Sequence, residues 1–293
     1  MTNPVGVYEG DTLMLSRKVT NDWHLLQPTP EIKKLVGYMY VYWAQRYREN
    51  VYGLNILGTH THVGYDDPDG IWPKFLCMAH HWIARILNRR YGRTGQHFFA
   101  PGPPRPARLL DTKTVDSRLT YIVANAPGHG ICADSYDWPG LLFGPEQVGE
   151  ELTFERPPEL KNSEIFPPDV TFVVPAPPHV RHLPDHEIGA HYRALRRKFE
   201  AEQYIKRDGC FMGVQRALGR EPFERPHAVK TGGRKPFFIA SSTHNRAAAR
   251  KARASFLARY EARLKAFRDG DRTSNWPSAT YKMRHQLGLP PPT

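Results

Sequence analysis

The chain has 293 residues, 40% of them hydrophobic, enough for a buried core in one large domain or two modest ones. Its 41 Lys and Arg against 29 Asp and Glu leave a formal charge of +12, more than solubility requires, which points to a polyanionic partner and above all to nucleic acid. No apolar run approaches the roughly 20 residues of a membrane span, the stretch around Glu9 and Asp11 lacks a secretory pattern, and Cys77, Cys132 and Cys210 are too scattered for a disulfide framework or a Cys-based zinc site, so a cytoplasmic protein with reduced thiols and no membrane partner is expected.

Residues 12–19 alternate Leu13 and Leu15 with polar neighbours and predict a first strand. From Thr29, Pro30 suits an early helical position, and Ile32, Leu35, Val36, Met39 and Trp43 fall at helical spacing up to about Glu49. Residues 51–57 and 59–66 predict two antiparallel strands joined at Gly58. A second helix starts around Asp69, Gly70 and Pro73, carries Leu76, Ala79, Trp82, Ile83 and Ile86 on one stripe, and stops at Gly92. Residues 107–110, after a proline-broken stretch, predict an edge strand. Strand, helix, strand, strand, helix, strand is the order of an α+β, ferredoxin-like split β-α-β arrangement, an antiparallel sheet with helices on one face.

A third helix over residues 112–126 has Val115, Leu119, Ile122, Val123 and Ala126 as its apolar stripe. Residues 1–150 are therefore expected as one domain, 151–184 as a proline-rich connector with short runs such as 170–174 able to pair as strands, and 185–293 as a basic, mainly helical extension. Within that extension a helix is expected at 185–205, a basic loop at 230–235, and a helix at 245–269. This last helix carries Arg246, Arg250, Lys251, Arg253, Arg259 and Arg263, with Glu261 as its acidic residue, and predicts a phosphate-binding face.

His60 and His62 are one residue apart, so on a strand both imidazoles share a face while Thr61, Val63 and Tyr65 share the other. Such a pair suits a transition metal but needs further ligands. Tyr121 and Asn125, four residues apart, project from one side of the third helix, and Tyr121 lies roughly 140° from the centre of the apolar stripe. Spacing alone is equally served by a surface tyrosine beside a helix-terminal asparagine. The histidines 179, 182, 186 and 191 suggest a second cluster, but His186 and His191 are five apart and splayed on a helix, unlike the zincin pair. Asp66, Asp67 and Asp69 sit among Pro68 and Gly70 as a turn into a helix would require.

Taken together, Gly58-Thr59-His60-Thr61-His62-Val63, Phe98-Phe99-Ala100-Pro101-Gly102, Tyr121-Ile122-Val123-Ala124-Asn125 and Asp137-Trp138-Pro139-Gly140 resemble, in this order, the HUH single-tyrosine transposases of the insertion-sequence-200-like and REP-associated type. The resemblance covers residues 12–140. It implies that His60, His62 and Asn125 hold a divalent metal, Mg or Mn, and that Tyr121 attacks single-stranded or hairpin DNA, leaving a 5′-phosphotyrosine that is later rejoined. A phenol ionises at about pH 10, so a neighbouring cation suits that role. The sequence departs from the family pattern at Thr61, where a bulky hydrophobic residue is usual, at Thr59, where asparagine is common, and at Ala126, which separates Asn125 from Pro127. A replication initiator or relaxase of the same chemistry, and a domesticated, non-transposing DNA- or RNA-binding protein, are the alternative readings; the assembly expectation includes a homodimer.

Overall fold

The structure is a computed structural model, and it describes residues 4–224 and 236–285, so the basic loop expected at 230–235 lies outside the described residues. Strand β1 (Asp11–Lys18) leads to helix α1 (Pro30–Arg46), the hairpin β2 (Asn50–Leu57) and β3 (His60–Asp67), helix α2 (Trp72–Arg90) and strand β4 (Ala107–Leu109). Thr29 caps α1 by accepting from the Ile32 N–H at 3.3 Å, an interaction worth about 1 kcal/mol. The helix ends three residues before the expected limit because Arg48 turns into the left-handed region, φ 57°. Asp67 substitutes for a side-chain cap on α2, its Oδ1 accepting the Ile71 N–H at 2.7 Å, so this aspartate serves the turn predicted for it.

The chain then forms α3 (Thr112–Val123) and α4 (Asn125–Gly128), where one helix was expected, because Ala124 leaves helical geometry at φ −87°, ψ 30°. Strand β5 (Leu142–Phe143), the hairpin β6 (Glu151–Glu155) and β7 (Asp169–Val173), and helices α5 (Asp185–Lys206) and α6 (Val214–Leu218) follow. Strand β8 (Phe238–Ile239), the long helix α7 (Thr243–Arg268) and α8 (Tyr281–His285) complete the described chain. Among the described residues no helix is long and apolar enough to cross a membrane.

A six-stranded, mostly antiparallel sheet runs in the order β5-β2-β3-β1-β4-β8. β3 pairs antiparallel with both β2 and β1, β1 antiparallel with β4, and β8 adds in parallel to β4. The strand expected at the edge is thus covered: Arg108 and Leu109 pair with Phe238 and Ile239, and the proline that ends pairing, Pro106, lies just before β4.

Helices occupy both faces of the sheet, not one. Leu13, Leu15, Ile56, Val63 and Tyr65 join residues of α1 and α2 in the main core, whereas Met14, Tyr52, Leu109 and the α3 residues Val115, Leu119 and Ile122 form a second core with Ile188 and Tyr192 of α5. The reason is that both faces of the strands carry apolar side chains, and each face must be covered. The β6–β7 region lies over the outside of α1, where Phe166 packs edge-on against Tyr38, Tyr42 and Trp43, and Gln45 donates to the Thr171 carbonyl at 2.7 Å.

Candidate active site

Strand alternation divides β3 as its sequence predicts. Thr61 faces the α1–α2 layer, where its hydroxyl lies 3.1 Å from the Tyr40 hydroxyl, which in turn lies 2.9 Å from His80 Nε2. This buried chain accounts for a threonine where the resembled family has a hydrophobic residue. Burial pushes Tyr40 up to about 12 and His80 down to about 3, so both stay neutral.

On the opposite face His60 and His62 point toward α3 and α4. Their rings are 4.8 Å apart, edge to face, and both are buried. His60 Nδ1 lies 2.8 Å from Thr59 Oγ1 and its Nε2 lies 3.3 Å from Asn125 Oδ1. Burial, then the neighbouring His62 and His129, hold the His60 pKa well below the ordinary imidazole range, so the ring is neutral with a lone pair to offer. The half-buried Tyr121 ring stands 5.4 Å from that of His62, edge to face, and is backed by Phe199 of α5 at 6.4 Å. His60, His62, Tyr121 and Asn125 are therefore together in space, although a helix break at Ala124 separates the last two.

Two features hold α3 this close. A Cβ on Gly64 would meet Leu119 Cδ2 at 2.6 Å and Ile122 Cδ1 at 2.9 Å, so with glycine there the helix lies against the strand two residues beyond His62 without displacing those side chains. Asn55, opposite His62 in the ladder, donates its amide to the carbonyls of Ile122 and Val123 at 2.7 and 3.3 Å, occupying acceptors that the helix break releases.

His129, which sequence reasoning missed, stands one turn beyond Asn125. Its ring lies 5.0 Å from that of His60, and the ligand atoms of His60, His62 and His129 are all within 4.8 Å of one another. The signal was present, since Asn125 and His129 repeat the four-residue spacing of Tyr121 and Asn125. Asn125 is fully buried, and its Nδ2 has no hydrogen-bond partner among the described residues. Three imidazoles and an amide oxygen make a donor set suited to a divalent transition metal.

No protein-family model and no curated protein matches the chain. Among solved structures, a REP-associated tyrosine transposase bound to a REP hairpin is similar to it. The two are 16% identical, the match covers 48% of this chain and 81% of that chain, and the TM-score is 0.39.

The other residues singled out by sequence fall elsewhere. His179 and His191 both contact Asp116, at 2.8 and 3.2 Å, and Tyr192 donates to it at 2.8 Å, joining α5 and the segment before it to α3. Burial alone would raise the Asp116 pKa, but the hydrogen bonds from His179 and Tyr192 outweigh it and the pKa is lowered. His182 and His186 are exposed. On α7, Arg246, Arg250, Lys251 and Arg259 are exposed, but two of the expected phosphate-binding residues are not. Arg263 is buried, donating to the Ser274 carbonyl at 2.8 Å, and the half-buried Arg253 stacks over Phe237 at 3.4 Å. Both arginines hold the extension together.

Proposed function

We propose that this protein is a metal-dependent tyrosine strand transferase acting on single-stranded or hairpin DNA. The observation that carries the reading is the meeting of Tyr121 with His60, His62 and Asn125 across β3 and the α3–α4 break. The order β2-β3-β1-β4, with each crossover helix spanning one intervening strand, supports a ferredoxin-like catalytic core within residues 1–150. Residues 151–184 act as its connector and 185–293 as a basic accessory region whose exposed Arg246, Arg250, Lys251 and Arg259 suit phosphate contacts.

In this reading His60 and His62 would hold the ion, Asn125 would add its amide oxygen, and His129 is within reach as a further donor. A bound Mg or Mn ion would polarise the scissile phosphate and favour the phenolate. Thr59 orients the His60 ring through Nδ1, and Gly64 and Asn55 hold α3 so that the Tyr121 ring stands beside His62. The Tyr121 oxygen bonds to phosphorus, the bond from phosphorus to the 3′ oxygen breaks, and the phenol proton is matched by one taken up on the released 3′-hydroxyl. The 5′-phosphotyrosine retains the phosphodiester energy, so attack by a second 3′-hydroxyl restores both a DNA bond and the phenol.

The test is a denaturation-resistant adduct between the purified chain and labelled single-stranded DNA, its own flanking sequences included, in the presence of manganese. Wild type forms it and Tyr121→Phe does not. No adduct with wild type across the panel leaves a non-catalytic binding protein; an adduct with Tyr121→Phe assigns the nucleophile elsewhere.

A further inference from the structure

A cleft of about 410 Å³ opens beside the Tyr121 ring, with His62 on its floor and Arg105, Arg118 and Arg246 around it. One wall comes from β4 and α3; the other comes from Phe238, Ile239 and Arg246 of the C-terminal region. No acidic side chain among the described residues lines the cleft. None of the three arginines has a carboxylate partner among those residues either, and the Arg118 Nε is buried with no hydrogen-bond acceptor. Arg196 and Arg108, by contrast, are neutralised, the first by Glu146 and Glu200 at 2.7 and 2.8 Å and the second by Asp11 at 2.6 Å. Three guanidinium groups without a carboxylate around one space suit an anion, and an incoming oxygen would also satisfy the buried Arg118 Nε, whose lack of an acceptor costs free energy.

The C-terminal wall is tied to the helix that carries Tyr121. Asp111 caps α3 through Oδ1, accepting the Thr114 N–H at 2.8 Å, while its Oδ2 accepts the Ser241 N–H at 2.8 Å and lies 3.4 Å from Asn245 Nδ2. Arg246 follows Asn245 in the first turn of α7, so one carboxylate joins the start of the helix that carries Tyr121 to the start of the helix that carries Arg246. Arg118 is one helical turn from Tyr121 on the same side of α3.

We propose that β8 and the start of α7 are the second wall of the nucleophile's cleft, and that Arg105, Arg118 and Arg246 grip the phosphates of a single DNA strand there. The extension then belongs to the active site and is more than an added basic surface. The role of Tyr121 rests on the strand-transferase reading; the grip on the strand does not.

The test uses the full chain, a fluorescein-labelled single-stranded oligonucleotide and anisotropy over a salt series, with Arg246→Gln, Arg118→Gln and, as an equal change of charge on the far side of the sheet, Arg46→Gln. Each cleft variant weakens binding about tenfold and lowers the log–log salt slope by about 0.7 for each phosphate no longer gripped, while Arg46→Gln stays near wild type. Equal effects of Arg246→Gln and Arg46→Gln, or no effect of either cleft variant, would overturn the proposal. Arg246 is exposed on a helix surface, so its variant decides the matter if Arg118→Gln does not fold. Weakened binding by the cleft variants, in a protein that forms no covalent adduct, supports the grip and removes the strand-transferase reading.

Discussion

The two faces of β3 solve opposite problems with neighbouring residues. On one, Thr61, Val63 and Tyr65 are buried against α1 and α2, and the Thr61 hydroxyl is paired through Tyr40 to His80. On the other, His60 and His62 gather with Asn125 and His129, the ligand atoms of the three imidazoles lying within 4.8 Å of one another. A strand with a single register supplies both because its side-chain period is two. In the proposed reading one face of the strand serves packing and the other serves chemistry.

The sharpest way to test that division is to compare alternate residues of the strand. Tyr65→Ala should cost about 3–5 kcal/mol in urea unfolding, as loss of a buried aromatic does, whereas His62→Gln should change metal-free stability far less and remove the manganese-dependent adduct. Equal stability losses would show that the histidine face is ordinary core. Gly64→Ala breaks the division from within, since it lies on the chemical face but acts by packing. The added methyl should cost about 1–3 kcal/mol and slow adduct formation by displacing α3, with melting temperature and adduct rate moving together.

Acid sharpens the structural side. In the unfolded chain His80 takes a proton near its ordinary 6.5, whereas burial holds the folded group at about 3. The unfolded state therefore binds more protons, and stability is lost as pH falls from 6.5 toward 3, by about 1.4 kcal/mol per pH unit for this one group. His80→Gln should flatten the stability profile across that window by this slope; an unchanged profile would remove His80 as its source. The smallest expected effect is on the chemical side. His129→Gln should weaken manganese binding about tenfold in calorimetry without lowering the metal-free melting temperature.

Much of this arrangement is written in local pattern. The alternation around Leu13 and Leu15, the Thr29-Pro30 helix start and the Gly58 hairpin specify elements through neighbours a few residues away, and these elements formed close to their expected limits. The facing of His60 and His62 away from Thr61 follows from the same period. What escaped depends on partners distant in the chain. An apolar stripe tells that α3 is buried but not which side of the sheet it covers; that depends on Gly64 and on α5. Strand β8 has two residues, too few for any periodicity, and exists because β4 offers it an edge. The count of basic residues on α7 could not separate Arg246, turned into a cleft, from Arg263, whose donors close the loop after the helix.

Asp111 and Ser241 meet across a sequence separation of 130 residues. Contacts of that kind form late, after local hairpins and helices, because a long loop must close before they are rewarded. During synthesis the strand bearing both histidines and the helix bearing Tyr121 emerge well before the segment that walls their cleft. In the proposed reading, a growing chain would thus carry its candidate catalytic residues with the second wall of their cleft still missing, and would become competent only as the C-terminal region docks.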